Sequence, residues 1–299
     1  MINKKIAKEM PFKMSKMKIT VLGSGTAAPR LERNMSGYLL EAGNKKILFD
    51  SGPCTIRQLL KLKADLLDID DVFYTHLHND HINDLGAIIW SNNYGMKRKK
   101  PLNIYGPKWF KSYFKILMEK ILKPTKLNYQ INVKEMWNNS IIKIPIIDDF
   151  NNSKTMTNNS MNNKLIKNNS ITNKIKNYKN DIIIKSIKSK HTDASVSYRI
   201  EYNNKSIVYS GDTDYSNEII KISKNADVLI LECSYPDGKK AKGHLTPSLC
   251  GKIATKANVK RLVLTHFYPE ADKVNIRGQC AKEYKGKITL AKDFMEIKP

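Results

Sequence analysis

One pattern constrains the fold of this 299-residue chain more than any other: strand-like runs followed by strand–helix pairs, met twice along its length. In the first half, KITVLGSG, GYLLEAG and KKILFDSG read as three strands separated by turn residues. CTIRQLLKLKA then reads as an amphipathic helix, DDVFYT as a buried strand and INDLGAIIWSNN as a helix. PLNIYG and PKWFKSYFKILMEKIL repeat the pair, with Pro107 at the expected helix start. In the second half, DIIIKSIKSKH, SVSYRIEY and KSIVYSGDT are again strands. They lead into SNEIIKISKN (helix), ADVLILEC (strand), TPSLCGKIATKAN (helix), KRLVLTH (strand) and a final helix and strand. Two such halves predict an α/β fold of two similar sheets packed face to face with helices outside, a four-layer αββα sandwich.

The halves are separated at 149–180 by an Asn/Lys/Ser/Thr-rich stretch with no steady period. Such a composition buries too little apolar surface to offset its ordering entropy, which predicts a mostly disordered surface insert. Residues 1–17 form a basic tail, and 18–299 are expected to make one domain around the insert.

Bulk composition narrows the class without deciding it. Hydrophobic content of 41% is ordinary for a globular chain. The net charge of +24 would concentrate polyanions at the surface. The basic residues are nearly all Lys in an Asn- and Ile-rich background, however, which is also how an AT-rich genome spells a protein. The cysteines Cys54, Cys233, Cys250 and Cys280 are scattered, which argues against a disulfide framework and for a reducing compartment. The amino terminus lacks the apolar core of a signal peptide, and the longest apolar candidate, IIKIPII, is too short to span a bilayer. A cytoplasmic protein without membrane association is the expectation.

The chemistry concentrates in THLHNDHIND, which holds three of the six histidines and two aspartates within Thr75–Asp84. His76 and His78, two apart at the end of a strand, can converge on one divalent metal, while Asp80 and His81 can turn toward a second. Imidazole and carboxylate are a ligand set that zinc accepts, with a position left for water. His191, Asp212 and His266 each follow a strand as well, so every candidate is delivered to a sheet edge. The sixth histidine, His244, precedes a helix instead, and is assigned to proton transfer or oxyanion stabilisation.

These residues resemble the metallo-β-lactamase fold superfamily, and within it ribonuclease Z. GTAAPRLERN is similar to that family's P-x-K-x-R-N loop, with Pro29, Arg33 and Asn34 in place and Leu31 where the family has Lys. LFDSGPCTIRQLL, HTDASVSYRIE, YSGDT and LTHF resemble its other motifs. The H-E-A-T motif reads LECS, which keeps Glu232 and replaces its preceding His with Leu231. The resemblance implies two zinc ions, with Mn²⁺ or Fe²⁺ as alternatives. His76, His78 and His191 would hold one, Asp80, His81 and His266 the other, and Asp212 with a hydroxide nucleophile would bridge them. Asp80, His244 and Glu232 are the catalytic residues of this reading, His244 oriented by Glu232 protonating the leaving alkoxide. The family's tRNA-binding arm lies between the third and fourth motifs. Here twenty residues separate His191 from Asp212, enough for a hairpin and no arm. The implied substrate is therefore RNA or a small phosphodiester, and the family likeness also implies a homodimer.

Overall fold

The computed structural model of the protein describes residues 17–146 and 181–299. The insert expected at 149–180 and, apart from Met17, the basic tail lie outside the described residues.

The first half begins with a meander, β1 (Lys18–Gly23), β2 (Gly37–Ala42) and β3 (Lys45–Ser51), paired antiparallel. It continues with helix α1 (Thr55–Lys61), strand β4 (Ile69–Phe73), helices α2 (Asn79–Ile82) and α3 (Leu85–Trp90), strand β5 (Leu102–Gly106), helix α4 (Phe110–Ile116) and strand β6 (Ile131–Glu135). From β3 to β6 all pairings are parallel, as helical crossovers require. The second half repeats the scheme. Strands β7 (Ile141–Ile144), β8 (Ile182–Lys188), β9 (Val196–Tyr202) and β10 (Lys205–Tyr209) pair antiparallel. Helix α5 (Asn217–Ser223), strand β11 (Val228–Glu232), helix α6 (Pro247–Lys256), strand β12 (Arg261–Thr265), helix α7 (Ile276–Ala281) and strand β13 (Lys287–Leu290) then extend the sheet in parallel. Strand β14 (Glu296–Ile297) returns to pair with β1. The result is two seven-stranded sheets, β14-β1-β2-β3-β4-β5-β6 and β13-β12-β11-β10-β9-β8-β7.

Side-chain alternation builds the four layers. Ile47 and Phe49 of β3 and Ile207 and Tyr209 of β10 face into one core between the sheets. Their neighbours Leu48 and Val208 point outward, into separate cores under the two helical layers. The expected sandwich is the observed one.

Some local expectations change. Helix α4 starts at Phe110 rather than Pro107, because Trp109 just before it adopts a left-handed backbone (φ 70°) that helix cannot include. Strands β6 and β7 were not among the expected strands. Each is a short edge strand, five and four residues long, too brief for its alternation to stand out in the sequence. The β9–β10 connection is a two-residue turn, Asn203-Asn204, with both residues left-handed (φ 50° and 58°). Asparagine tolerates that conformation, and this turn type matches the twist of the paired strands.

Candidate metal centre

The functional side chains gather at one end of the sandwich, where β3, β4, β8, β10, β11 and β12 finish. The β4 terminus is pinned from both sheets. Thr75 donates from N and Oγ1 to the carboxylate of Asp50 (2.8 and 2.9 Å). The Thr75 carbonyl accepts from Val196 N at 2.9 Å, and the Tyr74 carbonyl from the Tyr198 hydroxyl at 2.8 Å. Past that anchor the backbone stays extended through His78 and then turns into α2, with His81 N and Ile82 N donating to the His78 carbonyl. His76 and His78 therefore project from extended chain, and Asp80 and His81 from a helical turn. Gly211, beside Asp212, sits at φ +55°, where an added Cβ would fall 2.6 Å from Thr75 Cβ. Only glycine lets the two strand ends approach this closely.

Two groups of donors form around Asp212. His76, His78 and His191 with Asp212 make one, and Asp80, His81 and His266 the other; ligand atoms within each lie within 4.8 Å of one another. Asp212 divides its carboxylate between them. Oδ2 is 3.6 Å from both His76 Nε2 and His191 Nε2, while Oδ1 is 3.2 Å from His81 Nε2 and 3.3 Å from His266 Nε2. Within the groups, His78 Nδ1 and His191 Nε2 approach to 3.1 Å, and His81 Nε2 and His266 Nε2 to 3.2 Å. Donors about 2.0–2.1 Å from a tetrahedral zinc lie about 3.3 Å from each other, so these separations suit convergence on a shared ion. His76 Nε2 and Asp212 Oδ1 are moreover buried without a hydrogen-bond partner. An unsatisfied buried donor or acceptor costs about 1–3 kcal/mol, and ligation of a cation removes that cost.

Protonation agrees with a cation site. Burial pushes His76 well below its ordinary value and lowers His191 as well, so both are neutral, as ligation requires. Burial raises Asp212, but the imidazoles of His266 and His81 outweigh it and hold the carboxyl well below the usual range. Asp80 is likewise raised by burial, yet the His266 hydrogen bond and nearby charges bring it to about 2. Burial lowers His81, and the carboxylates of Asp212 and Asp50 on either side overcome it and raise it. A positive charge is favoured between those two acids.

An outer ring fixes the imidazoles. His81 Nδ1 faces Asp50 Oδ2 at 2.8 Å, His191 Nδ1 the Gly243 carbonyl at 3.0 Å, His266 Nδ1 the Ser234 hydroxyl at 3.0 Å, and His76 Nδ1 the Thr75 hydroxyl at 3.1 Å. Such partners set the tautomer and aim the free nitrogen at the metal. Asp50 also accepts from the Tyr209 hydroxyl at 2.6 Å and is fully buried. Sequence reasoning passed over Asp50 and Ser234. Both lie within motifs it quoted, LFDSG and LECS, but nothing in spacing alone separates a supporting carboxylate or hydroxyl from a structural one.

His244 and Glu232 meet beside this group. His244 Nδ1 lies 3.0 Å from Glu232 Oε1, and the buried Glu232 also accepts from Thr213 N, Leu245 N and the Ser234 hydroxyl. Burial lowers the His244 pKa, but the Glu232 bond and the charges of Glu232, Asp212 and Asp80 carry it up to about 9. His244 also lies within ligand reach of Asp212 and His266. Its Nδ1 is committed to Glu232, so Nε2 is the atom available to the cleft. That cleft is a cavity of about 430 Å³ bounded by His78, Asp80, His191, Asp212, His244, Ala27 and Tyr268 among others. Tyr268, which the sequence did not single out, is stacked on Tyr235 with ring centroids 4.6 Å apart.

The αββα sandwich with a His/Asp donor set at its strand ends defines a metal-dependent hydrolase of the metallo-β-lactamase fold, in its ribonuclease Z-like branch. More narrowly, the chain belongs to the family described as Anti-Pycsar protein Apyc1, whose model matches residues 17–292. Ribonuclease Z of Brevibacillus brevis is 30% identical over 275 residues, 85% of this chain and 86% of that protein. The crystal structure of human tRNase Z, short form, superposes with a TM-score of 0.67 at 26% identity, covering 94% of this chain and 98% of that one. The metallo-β-lactamase fold protein YhfI from Bacillus subtilis has a TM-score of 0.73 at 23% identity, over 95% of this chain and all of that chain, a likeness of fold. Among the described residues no helix is long and apolar enough to cross a membrane.

Proposed function

We propose that the chain is a binuclear zinc phosphodiesterase that cleaves RNA. One observation carries the two-metal part: Asp212 presents Oδ2 to one set of imidazoles and Oδ1 to another. His76, His78 and His191 would hold the first ion, Asp80, His81 and His266 the second, and Asp212 would bridge. Bound there, two zinc ions supply Lewis-acid stabilisation of the phosphoryl oxygens and a hydroxide nucleophile near neutral pH. The protein's own part is to orient and to move protons. Asp50, Gly243 and Ser234 lock the imidazoles, so little reorganisation is needed as charge develops. Glu232 fixes the His244 ring, and its pKa near 9 keeps a proton on Nε2 at neutral pH for the leaving alkoxide. RNA is supported by the ribonuclease Z relatives.

A second reading, hydrolysis of a small phosphodiester such as a cyclic nucleotide, is favoured by the two-residue β9–β10 turn, which replaces any arm after His191 with a bare hairpin. The two separate when zinc-loaded protein is given a precursor tRNA, an unstructured RNA and bis(4-nitrophenyl) phosphate. Cleavage of either RNA supports the first reading. Turnover of the nitrophenyl diester with both RNAs intact moves the assignment to the second. The homodimer that the family likeness implies belongs to this reading and is read by light scattering.

A further inference from the structure

The loop between β11 and α6 does more than carry His244. Its tip, from Gly238 to Gly243, is bounded by two glycines with left-handed backbone (φ 85° and 82°). At Gly243 the close approach also demands glycine, because an added Cβ would fall 2.9 Å from His191 Nδ1. His191 Nδ1 donates to the Gly243 carbonyl at 3.0 Å, which leaves His191 Nε2 as the ligand atom. The next residue along the chain is His244. A shift of this one glycine therefore disturbs a donor imidazole on one side and the proton donor on the other.

The tip has few fastenings. Apart from turns within the loop, its hydrogen bonds among the described residues run only to His191 and Asp214. Asp214 Oδ2 accepts from Gly243 N at 3.2 Å and from Lys240 Nζ at 2.8 Å. Asp214 is itself held on its other side. Its Oδ1 accepts from Tyr215 N, and its own N donates to the Lys190 carbonyl, both at 2.7 Å. One residue thus ties together three segments: the end of β10 with Asp212, the turn with His191, and the loop with His244. Asp214 belongs to neither donor group, and both its carboxylate oxygens are already used. Of the two bonds to the tip, that from Gly243 is buried while Lys240 is exposed, so the amide bond is the stronger constraint.

We propose that Asp214 is a positioning residue for hydrolysis: through Gly243 N it latches the β11–α6 loop over the metal cleft, setting His191 and His244 together. The proposal rests on the reading above, in which His191 is a ligand and His244 gives a proton to the leaving group. It explains why an acid that touches no donor atom stands two residues beyond Asp212.

The test measures zinc affinity and turnover of the full-length protein. Chelator competition compares the parent with Asp214→Ala, Asp214→Asn, Gly243→Ala and Lys240→Met. Asp214→Ala and Gly243→Ala should weaken zinc about tenfold or more, the scale of losing the partner that orients a ligand. Asp214→Asn keeps an oxygen for Gly243 N, and Lys240→Met keeps the amide bond, so both should stay within about twofold of the parent. Thermal transitions establish that each variant is folded, and Gly243→Ala carries the test if Asp214→Ala is not. Turnover under excess zinc is followed on the dinucleotide UpU and on cyclic AMP, whose leaving groups are alkoxides that need a proton. Asp214→Ala should lower it about tenfold in the parent but within about twofold in His244→Ala, where no proton donor is left to misplace. Zinc affinity unchanged in Asp214→Ala, or equally weakened in Asp214→Asn, overturns the latch and leaves the metal reading standing. An equal loss of turnover in both backgrounds also overturns it, since general loosening does not depend on His244. A parent that binds no zinc overturns the metal reading, and the latch with it.

Discussion

Asp212 is the residue on which the chemistry turns. A fully buried carboxylate with one unpartnered oxygen is costly unless cations surround it, and here four imidazole nitrogens lie within 3.6 Å. His244 is the complementary case, a histidine whose Nδ1 is held by an acid, Glu232, beside the donor groups. His244→Ala should retain both ions and lower turnover by about a hundredfold or more, the scale of losing a general acid. Its acid role is present below its pKa and lost as pH rises through it. The alkaline limb of the turnover profile should therefore disappear in the variant and, in the parent, lie at or below about 9, since nearby metal charge moves it down. A limb that survives the substitution assigns the proton to another group. Ser234 joins the two systems. Its single proton goes to Glu232 Oε2 at 2.7 Å, so it must accept from His266 Nδ1, which leaves His266 Nε2 free as a ligand. Ser234→Ala should weaken the second ion by about 10–100-fold in a chelator competition, and Ser234→Thr should restore it. Equal affinities in all three would remove the tautomer argument. The residues that gather around Asp212 could be picked out as candidates in the sequence because histidine is scarce in it and most of them lie at or just beyond a strand end. Asp50 and Ser234 were not, because their roles exist only once β3 and β11 bring them against ligands from other strands.

At the level of elements, the fold works by ending strands together. Strands β4, β10 and β12 deliver His76, Asp212 and His266 to one edge because their inward residues share a single core, in which Ile230 and Val263 are fully buried. Ile230→Ala, on β11 directly behind Glu232, should cost about 2–5 kcal/mol in denaturant unfolding. A loss below about 1 kcal/mol would mean that the sheets are held by something other than this core. Strands with a clear apolar period could be placed from sequence, with their ends overrun where the following turn was read with the strand, as in KSIVYSGDT against β10 (Lys205–Tyr209). Strands β6 and β7 could not, because at five and four residues they are too short for their alternation to stand out. The start of α4 was misplaced for a different reason: Pro107 is a permissible first residue, but the left-handed backbone at Trp109 is set by the tertiary fold.

For the whole molecule, each half supplies most of one sheet, one helical layer and part of the donor set, and β14 of the second half closes the first sheet, so the site exists only when both are folded. The first half brings His76, His78, Asp80 and His81; the second brings His191, Asp212 and His266. Metal removal should accordingly loosen the joint more than either half. Its signature is a lower thermal transition with chelator, restored by zinc, because a ligand bound only to the folded state stabilises it by mass action. The central claim, two ions bridged by Asp212, is tested most directly by elemental analysis of zinc-loaded protein alongside Asp212→Ala. The account predicts about two ions per chain in the parent and one or fewer in the variant. A parent with no more than one ion, or a variant that keeps both, would contradict it.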